Sequence, residues 1–226
     1  MIGHRGAAAV APENTLASLA AAVEAGADLV EFDVGAGLIL GHTTSEIPAE
    51  AASLDDALAL LRAHGSGAHV DVKHLGIEEE VVQALKRHGL SERALVSSAA
   101  PRALRRFARI APELPRALGY PNDRFGVAEV RWPRPVVATS AAALRAVMPL
   151  RVPLLLRTAR ASVLALHCAL VSPALVAAAH RRKAPVLAWT ANDPELVERL
   201  VHDGVDGIVS DDPAMVFRTL DTLVAG

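Results

Sequence analysis

A chain of 226 residues, 52% hydrophobic and 21% charged, can bury one large core, and α/β barrels of this length are commonly single domains. Its net charge of -2 argues against a general nucleic-acid or anionic-membrane binder but leaves room for a local basic site. The one cysteine, Cys168, excludes an internal disulfide and any Cys-based metal site, and Arg, Asp or Pro break the apolar runs well short of a membrane span.

Strand and helix patterns alternate from the first residue. Residues 1–4 read as a short strand cut off by Gly6, with no secretory signal before His4-Arg5-Gly6, so a cytoplasmic protein is expected. Pro12-Glu13-Asn14 leads into an Ala-rich helix over 15–25, closed by Gly26. Residues 29–34 read as a strand and 38–40 as a shorter extended piece ending near His42. Ser53 caps a helix that carries Asp55 and Asp56 in its first turn, where carboxylates meet the positive end of the dipole; it runs to about His64 and stops at Gly65. A strand over 68–72 and a helix over 77–88 follow, then Gly89, a strand over 94–97 and a helix with Pro101 in its first turn. Residues 114–118 suggest another strand. The stretch 120–162, rich in Pro, Arg and Ala, shows helix-like pieces near 136–148 and 152–160 and no clear strand. Beyond it come strand 163–167, helix 173–182, strand 185–189, helix 194–202, strand 207–209 and helix 214–224. About eight strands with helices between them predict a single TIM (β/α)8 barrel.

Charged residues recur at the strand ends. On a strand, positions i and i+2 share a face, so Glu31 and Asp33 project together, as do Asp71 and Lys73. In a barrel such ends converge at the C-terminal mouth. Three carboxylates crowded there need a cation or proton between them, and an all-oxygen set suits Mg2+ or Ca2+. The plain alternative is a set of salt bridges with Lys73. His4 and His42 lie beside the same strand ends and could divide the acid and base roles of phosphodiester hydrolysis. Arg5 and Lys73 would hold phosphate oxygens. His69 shares strand parity with Asp71. Arg102, Arg105, Arg106 and Arg109 recur at helical spacing as a solvated face.

His4-Arg5-Gly6, Pro12-Glu13-Asn14-Thr15, Glu31-Phe32-Asp33-Val34, Asp71-Val72-Lys73, Trp189-Thr190-Ala191-Asn192 and Gly204-Val205-Asp206-Gly207 with Asp211 and Pro213 resemble the glycerophosphodiester phosphodiesterases, in order and over nearly the whole chain. The resemblance implies a TIM barrel that hydrolyses deacylated phospholipids to glycerol 3-phosphate and an alcohol. It implies His4 and His42 as the acid/base pair, Glu31, Asp33 and Asp71 as ligands of Mg2+ or Ca2+, and Arg5 and Lys73 as phosphate contacts. Trp189 and Asn192 would line the pocket, and Glu13 and Asn14 would support the loop beside His4. The partner implied is a small phosphodiester, with no nucleic acid and no stable membrane insertion.

The departures from that family are specific. Asp71 stands where it usually has Glu, which draws the carboxylate back by about 1.5 Å. Thr43 follows His42 where the family usually has Asp, and Gly35-Ala36-Gly37 replaces a longer strand pair. Only residues 43–53 remain of an inserted segment that usually roofs the pocket, so a more open site is expected. The nucleophile is either water or the substrate's own neighbouring hydroxyl through a cyclic phosphate. Two alternatives stand beside this reading: a lyase of the same barrel lineage that cyclises a phospholipid, and a non-catalytic barrel that binds phosphorylated ligands.

Overall fold

Eight parallel strands pair in chain order and close on themselves: β1 Ile2–Gly3, β2 Leu29–Val34, β3 Gly67–Val72, β4 Ala94–Ser98, β5 Arg116–Tyr120, β6 Val163–His167, β7 Val186–Trp189 and β8 Gly207–Ser210. β1 pairs with both β2 and β8, which completes the ring. This is a computed structural model, and it describes residues 1–41, 51–121 and 134–225, with the side chains of 134–141 and 225 left aside. His42 lies outside the described residues, as does most of segment 43–53. The TIM barrel expected from the alternating pattern is the fold observed.

The helices outside the ring are α1 Leu16–Glu24, α2 Leu54–His64, α3 Glu78–Arg87, α4 Pro101–Ile110, α5 Arg134–Ala159, α6 Pro173–His180, α7 Pro194–Asp203 and α8 Pro213–Ala225. Local chemistry starts them where the sequence does. Thr15 caps α1 and Ser53 caps α2, each in a reciprocal capping box. Proline occupies the first turn of α4, α6 and α7.

Side chains alternate across each strand. Val30, Phe32, Val34, Ala68, Val70 and Val72 point outward and pack against the helices, as do Leu164, Leu166, Val186 and Ala188 in the second half. Inside the ring Ile2, Leu29, Leu95, Ala117, Val163, Ala165, Leu187 and Val209 form a separate apolar plug. The plug seals the barrel and leaves the remaining inward positions to build the mouth.

Three elements differ from the sequence expectation. The extended piece expected over 38–40 is confined to Ile39 and Leu40, which bridge antiparallel to Ser53 and Val34; Leu38 instead ends a 3-10 turn, Ala36–Leu38, in which Gly37 takes a positive φ of 73° that turns the chain back on itself. The strand expected over 114–118 runs from Arg116 to Tyr120; hydrogen bonding to β4 and β6, which periodicity does not carry, sets that register. The two helical pieces expected near 136–148 and 152–160 belong to one helix, α5, that continues through Pro149 and Pro153. Proline removes a helical N–H, but Met148, Val152, Leu156 and Ala159 are buried along one face, and that packing outweighs the local preference.

Candidate active site

The loop after β1 places the first functional side chains. Gly6 adopts φ 85°, and a Cβ there would meet the Ser18 backbone at 2.4 Å, so only glycine lets the chain turn this tightly against α1. The turn is fixed at both ends: the His4 N–H donates to Ser210 O at 2.8 Å and the Gly6 N–H to Glu31 O at 2.9 Å. His4 and Arg5 are thereby held over the ends of β8 and β2.

Glu31 and Asp33 on β2 and Asp71 on β3 each offer a carboxylate oxygen, and these atoms lie within 4.8 Å of one another. Register brings Asp33 beside Asp71. Each carboxylate is also held by the protein. Glu31 accepts the Arg5 backbone N–H at 2.7 Å. The Asn14 amide donates to Asp33 at 3.1 Å and accepts the Asp33 N–H at 2.9 Å. The Arg5 guanidinium lies 3.2 Å from Asp33 and 2.6 Å from Glu13. The Lys73 ammonium lies 3.0 Å from Asp33 and pairs with Asp71 as well.

Charge crowding sets the electrostatics. Burial, then repulsion from Asp33, pushes the Glu31 carboxyl up to about 8, against the pull of His4 and Lys73. Burial works against the Lys73 ammonium, but Asp71 and Asp33 outweigh it and hold the lysine charged. Glu31 and Asp33 are buried with carboxylate oxygens close to that of Asp71, and a hard divalent cation relieves the repulsion between such groups. The three carboxylates could therefore hold a metal ion.

Two further hydrogen-bond chains reach the cluster. His4 donates Nδ1–H to Asp211 at 2.6 Å, and because a carboxylate only accepts, the exchangeable position of the imidazole is Nε2. Burial lowers the His4 pKa, but the bond to Asp211 and the charges of Glu31 and Asp211 overcome that and hold it above its ordinary value. Asn192 braces Asp211, donating its amide to the carboxylate and accepting the Asp211 N–H at 3.0 Å. On the other side His69 donates Nε2–H to Ser97 at 2.8 Å, and the Ser97 hydroxyl donates to Asp71 at 2.8 Å. Burial drives the His69 pKa down to about 4, so this imidazole is neutral.

A pocket of about 560 Å3 opens at the mouth, lined by His4, Arg5, Ala8, Ala9, Glu13, Asn192, Asp211 and Asp212. Arg5 joins pocket and carboxylates, since its side chain lines the one and its N–H and guanidinium bind the other. Across the mouth the Trp189 ring stands edge-on to His167 at 5.4 Å. The structure thus brings His4, Arg5, Glu13, Asn14, Glu31, Asp33, Asp71, Lys73 and Asn192 into one network, with Trp189 at the rim. Asp211 and Ser97 carry contacts to which the sequence reading assigned no role. Asp211 shares parity with Gly207 and Val209, and Ser97 is in register with Asp71.

The sequence profile of the Glycerophosphoryl diester phosphodiesterase family matches residues 4–36 and 68–215. The chain belongs to this family. The unmatched stretch, 37–67, contains His42 and the shortened segment after it. A glycerophosphodiester phosphodiesterase of Caldanaerobacter subterraneus is 26% identical over 253 residues, spanning 94% of each chain. Solved structures agree on the fold. A phosphodiesterase of Oleispira antarctica, in complex with the product sn-glycerol-3-phosphate, gives a TM-score of 0.74 at 24% identity, over 97% of this chain and 96% of its own. A glycerophosphodiester phosphodiesterase of Thermotoga maritima gives 0.69 at 16% identity, over 96% of each.

Proposed function

We propose that the chain hydrolyses glycerophosphodiesters to glycerol 3-phosphate and an alcohol, with Mg2+ or Ca2+ held by Glu31, Asp33 and Asp71. The observation that carries this reading is the meeting of three carboxylate oxygens within 4.8 Å beside a His4–Asp211 pair at the mouth of the barrel. Family membership and the activity named for the Caldanaerobacter relative support the reaction class. The glycerol phosphate bound to the Oleispira relative supports the product half. We also propose a cytoplasmic setting, which suits a chain with a single cysteine; among the described residues no helix is long and apolar enough to cross a membrane.

When bound, the cation supplies Lewis-acid polarisation of a phosphoryl oxygen. Arg5 and Lys73 hold the phosphate from two sides and offset the charge that develops on it. His4 exchanges a proton through Nε2, with Asp211 fixing its tautomer and steadying the imidazolium. His42, outside the described residues, is the proposed second acid/base partner. Trp189 packs against the substrate from the far rim, and Asn192 keeps Asp211 in line with His4. Glu13 and Asn14 hold Arg5 and Asp33 in the geometry this requires.

The test is release of glycerol 3-phosphate from glycerophosphocholine by the purified chain, before and after EDTA and after restoring Mg2+ or Ca2+. Turnover that EDTA removes and a divalent cation restores is expected. Absence of turnover with either cation, or full turnover in EDTA, refutes the reading.

A further inference from the structure

A helix packed on a barrel normally turns charged and polar side chains to solvent. α5 does not. Its core face is ordinary, but on the opposite side Val147, Leu150 and Leu154 are 45%, 83% and 54% exposed. They follow one another at i+3 and i+4, so they form a single stripe. The charged side chains exposed around this stripe are Arg157 and Arg151, the latter lying over the Tyr120 ring at 5.6 Å.

The cations around it are not balanced. Between residues 130 and 192 the sequence has nine Arg and Lys and no Asp or Glu, in a chain whose net charge is -2. Among the described residues, Arg151, Arg157, Arg160, Arg182 and Lys183 form no ion pair, whereas Arg145 of the same helix lies 3.7 Å from Asp203. Arg157, Arg182 and Lys183 line a groove of about 550 Å3 together with the apolar Pro153, Leu156 and Ala184. The groove adjoins the N-terminal ends of β6 and β7, the end of the barrel away from the mouth.

Backbone conformation adds a second, independent sign. The turns after α1, α2, α3 and α7 place Gly26, Gly65, Gly89 and Gly204 at positive φ, as such turns usually do. After α5 and α6 the same conformation is taken by Arg160 at φ 52° and Lys183 at φ 57°. A long side chain is disfavoured there relative to glycine. Helix dipoles favour cations at C-termini, which accounts for charge near these ends but not for a left-handed Arg or Lys or for exposed leucines.

We propose that the outer face of α5 and the two cationic turns beside the groove form a docking surface for an anionic lipid bilayer. Charge and apolarity together select this occupant: basic side chains reach the lipid phosphates while Leu150 and Leu154 enter the headgroup boundary. A second copy of the chain fits less well, because a two-fold contact sets the same patch against itself and would oppose like charges. The exposed apolar groups here are aliphatic, whereas single-stranded nucleic acid is held by stacking on aromatic rings. The mouth lies at the other end, so docking leaves it open to solvent.

The test is flotation of the full chain with vesicles of phosphatidylcholine alone or with about one-third phosphatidylglycerol. Binding to the anionic vesicles alone, weakened by salt, is expected. Each basic side chain removed should lower the partition coefficient roughly fivefold, so Arg160→Gly with Lys183→Gly should lower it by more than tenfold. Glycine suits both backbones, so the Tm of that variant should stay equal or rise, which separates lost docking from lost folding. Leu150→Ser with Leu154→Ser should also weaken binding. The proposal is overturned by equal binding to neutral vesicles, by no binding to anionic ones, or by a glycine variant that binds as the wild type does. It is equally overturned if the chain binds a single-stranded oligonucleotide and not vesicles, or forms a dimer that the serine variant dissolves while vesicles are ignored.

Discussion

Along β2, β3 and β4 the inward positions above the plug are Glu31, Asp33, His69, Asp71 and Ser97, whereas along β5, β6 and β7 the plug residues Ala117, Val163, Ala165 and Leu187 are followed on the same face by Gly119, His167 and Trp189. Both walls belong to one closed parallel sheet with apolar residues on its outer side. They differ in what each must satisfy. A charge taken from water needs a partner for every oxygen, and the first wall finds them in the loop after β1 (Arg5, Asn14), just past β3 (Lys73) and on β4 (Ser97). The second wall satisfies little and leaves room, with His167 and Trp189 at its rim. The contrast teaches that a barrel divides labour by wall, with the reacting groups on the half that can pair its charges and the substrate accommodated against the half that need not. Asp211 belongs by sequence to the second half, yet it follows β8, which closes against β1, and so reaches His4.

The largest effect should come from neutralising the first wall. Glu31→Gln or Asp33→Asn removes a proposed metal ligand's charge, and turnover should fall on the order of 10³-fold or more. The barrel should stay folded. For Glu31 the pH dependence of stability has a definite sign. Its folded pKa is raised to about 8, so the folded state favours the protonated carboxyl, and metal-free wild type should lose stability as pH climbs from the ordinary carboxylate range through about 8. Glu31→Gln should abolish that loss and raise the metal-free Tm at alkaline pH, about 2–4 °C for each kcal/mol relieved. Calorimetry of both proteins in EDTA across this window checks it; parallel curves would show that Glu31 is not under this strain.

Next in size is His4. Its replacement by alanine should cost on the order of 10²–10⁴ in kcat. Asp211→Asn should cost less, about 10–10², because the imidazole remains. The pH profile distinguishes positioning from simple packing. Asp211 holds the His4 pKa up, so its loss should move the limb assigned to His4 toward lower pH. If His4 acts as the acid, that is the alkaline limb, where the imidazolium is lost as pH rises. An unshifted profile would mean that Asp211 only fills space.

How much of this was readable from the sequence follows the same division. The β/α alternation, the caps at Thr15 and Ser53 and the prolines at helix starts specify the barrel locally. By sequence α5 reads as two pieces, since Pro149 and Pro153 are breakers by propensity, and burial of Met148 and Leu156 overrides them. In the site, the pairing of Glu31 with Asp33 on β2 and of Asp71 with Lys73 at the end of β3 is legible because parity along a strand is a sequence property. The roles of Asp211 and Ser97 are not legible in the sequence because their partners lie across strand pairings: β8 against β1, and β4 in register with Asp71. His42 falls in the segment that neither the described residues nor the family match covers.

The His69–Ser97–Asp71 chain offers a smaller lever on the first wall. Ser97 gives its only proton to Asp71 Oδ1 and accepts from His69, so it fixes the carboxylate's orientation, with Oδ2 turned to Lys73. Ser97→Ala or His69→Phe should lower divalent-cation affinity about tenfold, the usual scale for groups that orient a ligand from behind. Titration calorimetry with Mg2+ and Ca2+ reads this apart from turnover. Unchanged affinity in both variants would leave the chain as packing alone.

The smallest effect belongs to the second wall and to the alcohol half of the substrate. A site built to hydrogen-bond a group rejects analogues that lack it by large factors, while an apolar surface discriminates weakly. Among the described residues the rim of β5, β6 and β7 offers Tyr120, His167 and Trp189. Tyr120 is occupied by Arg151 at 5.6 Å, and His167 is turned edge-on to Trp189 and accepts the Ala169 N–H at 3.2 Å. Little is left to recognise one alcohol over another. The kcat/KM values for choline, ethanolamine and glycerol diesters should therefore agree within about tenfold, or 1.4 kcal/mol of differential transition-state binding. Trp189→Ala should raise KM for all three by a similar factor, because it removes packing common to them. A strong preference for one headgroup, abolished by Trp189→Ala or by His167→Ala, would show that this wall selects substrate after all.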